Sequence, residues 1–313
     1  MKRLLAFAFT VLILAVIFTR IDLRAFREYV VRLDKGTFFL ALAMFFPLIV
    51  IPAWRWKFLI QKKAGITLWE STKLVLAASS LNVFLPSKMG DLSKAVFLKS
   101  KWGTDLKRAT NVVIFERYVD TASLSTMALI GALGAASFSK TALIIAGFAL
   151  LVIGVFPVIY FLNFDQKWAL TALGGNKFTE KLRRFLHDAQ DYLNEIKRDP
   201  EFLVTIWGVS LFLWLLHLIQ FYLVFQAIHA NVAWAHVFGL VPMAIFVGMI
   251  PMTVAGIGSR DAAMIVLFAP YAPAGQMAFI GLFATLRYLV PGILGLPFLN
   301  QYLVMGRAGV ERA

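Results

Sequence analysis

Eight ionisable side chains sit inside stretches that are otherwise apolar: Asp91 and Lys94; Glu116, Arg117 and Asp120; Arg260 and Asp261; and Arg287. Four are acids and four are bases. A charge at the centre of a bilayer costs about 2.5–3.5 kcal/mol on insertion scales. Eight unpaired charges would cost on the order of 20 kcal/mol, above a typical folding stability of about 5–15 kcal/mol. They must therefore pair with one another or line a wet cavity. Glu116 and Asp120 are four apart and share a helix face, and Arg117 can reach Asp120 three residues on. Such a cluster either pins helices together or receives a charged headgroup.

Two of the clusters follow interruptions rich in Pro and Gly. Asp91 and Lys94 follow a break running from Pro86 to Gly90, and Arg260 and Asp261 follow one running from Pro251 to Gly258. A half-helix starting after such a break presents free N–H groups and a positive dipole end, which attract an anion. Gly256 and Gly258 let backbone approach a phosphate, Ser259 can cap the helix, and Arg260 supplies a fork matched to phosphate oxygens. Gly90 and Lys94 can do likewise in the first break. Asp91 and Asp261 also suit helix N-termini in a purely structural sense.

The elements that carry these residues belong to a membrane. Hydrophobic residues make up 60% of the 313-residue chain and charged residues 15%, with a mean hydropathy of +0.77. A soluble enzyme, a disordered chain and a nucleic-acid-binding domain are excluded by that composition. The net charge of +14 fits basic residues flanking membrane spans better than a nucleic-acid surface. The pattern predicts an all-α polytopic membrane protein with about six full spans: Leu4–Ile21, Thr37–Phe58, Arg108–Ala136, Thr141–Leu162, Phe202–Ile228 and Met277–Tyr302. Lys2 and Arg3 before the first run resemble a signal peptide, but the run ends at Phe18-Thr19-Arg20, a poor cleavage site, so it is read as an uncleaved span. The two interrupted stretches, 70–102 and 236–273, offer arms of about 15 residues, roughly 22 Å each, too short for a hydrocarbon core about 30 Å thick. They are read as re-entrant helical hairpins.

With the N-terminus in the cytoplasm, 22 of the 31 Lys and Arg residues fall inside, Arg55 among them, 6 outside and 3 within membrane segments. Both termini are therefore expected on the cytoplasmic side of a cell membrane, most simply a prokaryotic inner membrane. Residues 1–137 and 138–313 follow one plan of span, amphipathic linker, span, hairpin, span. Three full spans per half invert the second copy. Paired Pro/Gly-interrupted segments in inverted repeats point to a transport site near the midplane. The linkers at 22–36 and 163–200 carry helical apolar stripes suited to the headgroup plane.

Three motifs give a further reading: Asn82-x3-Pro86-x3-Gly90-Asp91-x2-Lys94, Glu116-Arg117-x2-Asp120, and the run from Ala255 to Ala262. With these the chain resembles the membrane family typified by the transmembrane region of lysylphosphatidylglycerol synthetase, whose stand-alone members are described as flippase-like. The resemblance covers nearly the whole chain. It departs where the family tends to show Gly-Gly-Glu with a following Arg, here Met89-Gly90-Asp91 and Lys94, and where it tends to show Arg-Glu, here Arg260-Asp261. Charge is kept and reach altered, which bears on headgroup identity. The resemblance implies movement of a polar lipid between leaflets, or service to a lipid-glycosylation or hopanoid-type pathway. The chain ends about ten residues after the last predicted span, so the soluble aminoacyl-transfer domain and lysyl transfer are not expected.

No catalytic residue, cofactor or metal ligand is assigned. There is no cysteine, and the four histidines stand at no metal spacing. Gly256-x-Gly258 faintly resembles intramembrane aspartyl proteases, but Ser259 stands where the acid would be. No Walker motif is present. The expected function is a lipid flippase or transporter. Arg260, Lys94, Arg117 and Arg287 would contact a phosphate. Glu116, Asp120, Asp91, Asp261 and Asn82 would complete the site, around breaks at Pro86, Gly90, Pro251, Gly256, Gly258 and Ser259. The alternatives are a non-transporting subunit that presents lipid to a biosynthetic enzyme and an intramembrane lipid-modifying enzyme using Glu116 or Asp120 as base. A membrane lipid is the expected partner, with a biosynthetic enzyme or a second copy as further candidates and no nucleic acid.

Overall fold

The computed structural model describes residues 23–134, 140–161, 192–250 and 252–310. Every described element is helical. They are α1 (Leu23–Val31), α2 (Lys35–Ala43), α3 (Phe45–Ala64), α4 (Leu68–Phe84), α5 (Ser93–Trp102), α6 (Leu106–Gly134), α7 (Lys140–Phe161), α8 (Pro200–Ala227), α9 (Trp234–Met249), α10 (Ser259–Phe268) and α11 (Ala274–Val310). Short 3-10 turns at Pro86–Leu92 and Val254–Gly256 lead into α5 and α10.

Among the described residues, three stretches are long and apolar enough to cross a membrane: Lys35–Ile60, Pro200–Ala227 and Ala274–Tyr302. They coincide with the second, fifth and sixth predicted spans. The third and fourth correspond to α6 and α7, helices that fall outside that set. The predicted span Leu4–Ile21, most of the 163–200 linker and Pro251 lie outside the described residues. The first linker contains α1.

Local chemistry sets the helix ends. Asp34 caps α2, its carboxylate accepting from the Gly36 N–H at 3.0 Å and the Thr37 hydroxyl at 2.6 Å. The hydrogen bonds from the Thr37 side chain and backbone hold the Asp34 pKa below its ordinary value. The Asp34 N–H reaches the Ala227 carbonyl at 2.9 Å and ties α2 to the end of α8. Thr67 and Glu70 form a reciprocal capping box on α4. Pro200 occupies the first turn of α8 and Asp199 caps it.

Side-chain contacts fix how the helices run. Lys101 near the end of α5 meets Glu70 at the start of α4, 3.1 Å apart, so these two arms run antiparallel and the chain turns back at Pro86–Leu92. His236 in the first turn of α9 stacks near Tyr271 just beyond α10, with ring centroids 4.0 Å apart, so the second pair also turns back. The start of α6 follows directly from α5. At its far end a methyl on Gly131 would lie 2.1 Å from the Gly239 nitrogen, and one on Gly134 2.9 Å from the Trp234 ring. The 29 residues of α6 cover roughly 43 Å. The two helix–turn–helix units therefore open toward opposite ends of α6. Their 3-10 turns pack against each other partway along it.

Small residues allow the closest approaches. A methyl on Gly295 of α11 would lie 1.9 Å from the Leu76 carbonyl of α4, so these two helices touch backbone to backbone. Close packing through small residues is how helices associate without a hydrophobic gain from leaving lipid. Apolar clusters fill the bundle on both sides of this contact. One is built on α8, α9 and the start of α11 around Phe221, Phe225 and Phe268. The other lies around Trp56, Leu74 and Leu98.

Candidate functional site: a charged cavity in the helix bundle

A cavity of about 200 Å³ lies among α3, α4, α6, α8 and α11, with Asp91 of the first turn, Lys94 of α5 and Arg260 of α10 also on its wall. Its wall includes Asn82, Asp91, Lys94, Glu116, Arg117, Asp120, Arg260 and Arg287, the expected site residues with one exception. The exception is Asp261. It is buried, accepts from the Gly258 N–H at 2.9 Å and pairs with Arg260 at 2.9 Å. Its work is to cap α10 and orient Arg260.

The wall holds one residue that the sequence reading misassigned. Arg55 was counted with the cytoplasmic flank. It is 2% exposed and lines the cavity. It donates to Glu116 at 2.9 Å, to Ser210 of α8 at 2.7 Å, and to Asp120. The clue was present, since Arg55 falls within the predicted span Thr37–Phe58. Its place at the end of that span, beside Lys57, groups it with the basic cytoplasmic segment that follows.

Arg55 completes a closed network. Lys94 meets Glu116 at 2.9 Å and Asp91 at 3.2 Å. Arg117 meets Asp120 at 2.9 Å, Asp91 at 3.0 Å and Glu116 at 3.5 Å. Lys94 also sits 4.6 Å above the centre of the Trp56 ring. Three bases and three acids thus neutralise one another, each base facing at least two carboxylates. Full pairing is what makes so many buried charges tolerable.

The opposite wall is different. Arg260 is 2% exposed. Its guanidinium donates to Asp261, to the Thr285 hydroxyl at 2.9 Å and to the Gly281 and Ala284 carbonyls at 3.3 and 3.4 Å. Its fork is engaged in holding α10 onto α11. Arg287 donates to His217 Nδ1 and lies over Phe221 with its guanidinium carbon 4.5 Å from the ring centroid. A guanidinium only donates, so His217 Nδ1 is the acceptor in this contact. Among the described residues no carboxylate stands within ion-pairing distance of Arg287. Asn82 is buried and its Oδ1 has no hydrogen-bond partner there either.

The breaks shape the second wall. Ala255 and Gly256 both have positive φ, and a methyl on Gly256 would strike the Gly248 carbonyl at 2.6 Å. Gly258, at φ 92°, precedes α10 and takes the cap position. Ser259, expected to cap α10, instead sits inside it, its hydroxyl 2.8 Å from that of Thr253. In the first break a methyl on Gly90 would meet the Asn82 nitrogen at 2.5 Å, so glycine there lets the turn close on α4. Pro52 and Pro291 also line the cavity. Proline lacks an N–H, so the carbonyls of Leu48 and Arg287 lose their usual donor in the helix ladder.

Comparison with known proteins finds membrane proteins. A UPF0104 membrane protein from Methanothermobacter thermautotrophicus is 23% identical over 216 residues, which cover 63% of this chain and 64% of that protein. No solved structure matches the chain. The family model for the lysylphosphatidylglycerol synthase TM region matches residues 3–295, and the chain belongs to that family.

Proposed function

We propose that the protein carries a polar, phosphate-bearing lipid between the two leaflets of a cell membrane. The observation that carries this reading is the charged cavity of about 200 Å³ enclosed by apolar helices of membrane-spanning length. The two helix–turn–helix units act as re-entrant hairpins, approximately 70–102 and 236–273, from inverted halves 1–137 and 138–313. Their tips hold the headgroup near the midplane while the acyl chains remain in lipid. Arg287 anchors the phosphate and Arg260 reinforces the field beside it. Lys94 and Arg117, expected at the phosphate, are engaged by Asp91, Glu116 and Asp120 and form the opposite wall. A groove between α3 and α8, lined by Val50, Ile51, Trp54, Val209 and Phe212, runs along the same helix pair and suits an acyl chain. The Lys/Arg bias supports cytoplasmic termini.

The test is lipid translocation in proteoliposomes doped with a fluorescent phosphatidylglycerol and quenched from outside. The wild-type chain accelerates exchange between leaflets, and Arg287→Glu returns it to the protein-free rate. Unchanged exchange in a folded Arg287→Glu protein overturns the assignment. A second reading, a non-transporting subunit that presents lipid to a biosynthetic enzyme, draws on the self-neutralised network, which is also what a structural pin would look like. It expects no translocation by the isolated chain and a stable complex with a partner enzyme.

A further inference from the structure

We infer that the headgroup selected by this cavity is a hydroxyl-bearing phosphodiester that carries no amine. The inference rests on the lipid-carrying reading and narrows its substrate class.

Charge balance on the cavity wall is the starting point. Asp91 faces Lys94 and Arg117; Glu116 faces Arg55, Lys94 and Arg117; Asp120 faces Arg55 and Arg117. Asp261 is shared between Arg260 and the Gly258 N–H. Every carboxylate at the site is already held by a base. An ammonium group entering the cavity would need one of them and would have to break a buried pair to obtain it.

The same wall offers one base without a carboxylate. Among the described residues, Arg287 meets the His217 ring and an aromatic face. One surplus positive charge matches one phosphodiester, which carries a single negative charge. The guanidinium fork suits its oxygens.

Asn82, on the wall, keeps its Oδ1 buried beside Gly90 of the first turn without a donor among the described residues, an unfavourable state for a polar atom. Pro52 and Pro291 line the cavity and deny the carbonyls of Leu48 and Arg287, residues that line it too, their helical donors. A headgroup with hydroxyls satisfies such acceptors. One with a bare methyl does not, and one with an ammonium group carries the surplus charge that the wall cannot match.

Native mass spectrometry of the purified full chain tests this. The protein is offered an equimolar mixture of phosphatidylglycerol, phosphatidylmethanol, phosphatidylethanolamine and lysyl-phosphatidylglycerol. The expected result is retention of phosphatidylglycerol over both amine-bearing lipids by at least about tenfold, with phosphatidylmethanol between them. Arg287→Gln loses the retention and Arg287→Lys keeps most of it. Asn82→Leu binds phosphatidylglycerol and phosphatidylmethanol equally while remaining folded, because it deletes an unsatisfied acceptor. Wild-type retention of lysyl-phosphatidylglycerol or phosphatidylethanolamine equal to that of phosphatidylglycerol overturns the inference and leaves the lipid-carrying reading standing. Bulk-level retention of all four lipids overturns both.

Discussion

The two walls of the cavity contain the same residue types and use them oppositely. On the α3–α6 wall, Arg55, Lys94 and Arg117 are locked to Asp91, Glu116 and Asp120 at mostly 2.9–3.2 Å. On the α10–α11 wall, Arg260 is tied to one carboxylate and to backbone carbonyls, and Arg287 to a histidine. The first arrangement joins four segments of chain and leaves no net charge. The second leaves Arg287 without a carboxylate partner among the described residues. A buried base is thus no sign of a binding site until its partners are counted.

Mutations should separate the walls. The largest stability loss is expected for Arg55→Leu, which strands Glu116 and Asp120 in an apolar bundle. Breaking a buried pair from one side costs about 3–5 kcal/mol, to be read as lowered thermal stability in detergent. Arg287→Gln should change stability by less than about 1 kcal/mol, since no buried carboxylate loses its partner. Equal losses for the two variants would erase the contrast.

Packing comes next. Gly295→Val would force α4 and α11 apart at the Leu76 carbonyl and should cost about 1–3 kcal/mol or more as overpacking. Gly256→Ala should cost about 1–3 kcal/mol, from its positive φ and the close Gly248 carbonyl. That change should also disturb lipid retention, because Gly256 lies in the turn leading to Arg260. The smallest effect is expected at Asp34. Its lowered pKa means that the charged cap stabilises the fold above the ordinary carboxylate pKa. That contribution fades as pH falls through the lowered folded-state value. In Asp34→Asn this acid-side dependence disappears, which pH-resolved thermal unfolding measures.

The sequence located most of this site because charge in an apolar stretch is a strong signal. Asp91, Glu116, Arg260 and Arg287 were each visible as costly residues that needed a reason. Three predicted spans also match helices long and apolar enough to cross a membrane, because hydropathy reads length directly. Arg55 escapes that signal because it stands at the end of a span, where the basic segment beginning with Lys57 follows. The division of labour between the walls was illegible for another reason. Pairing of Arg55 on α3 and Lys94 on α5 with Asp91 in the first turn and Glu116 and Asp120 on α6 depends on tertiary placement, which residue spacing along a single helix does not contain. Likewise Ser259 looked like the cap of α10, but the positive φ at Gly258 moved the cap one residue earlier.

The most direct measurement is a structure of the full chain in nanodiscs containing phosphatidylglycerol with a heavy-atom-labelled headgroup. The account predicts phosphate density against the Arg287 guanidinium, on the α10–α11 wall, with the network of Arg55, Lys94 and Arg117 unbroken. Phosphate density seated on Lys94 or Arg117, or lipid confined to the outer surface of the bundle, would contradict it.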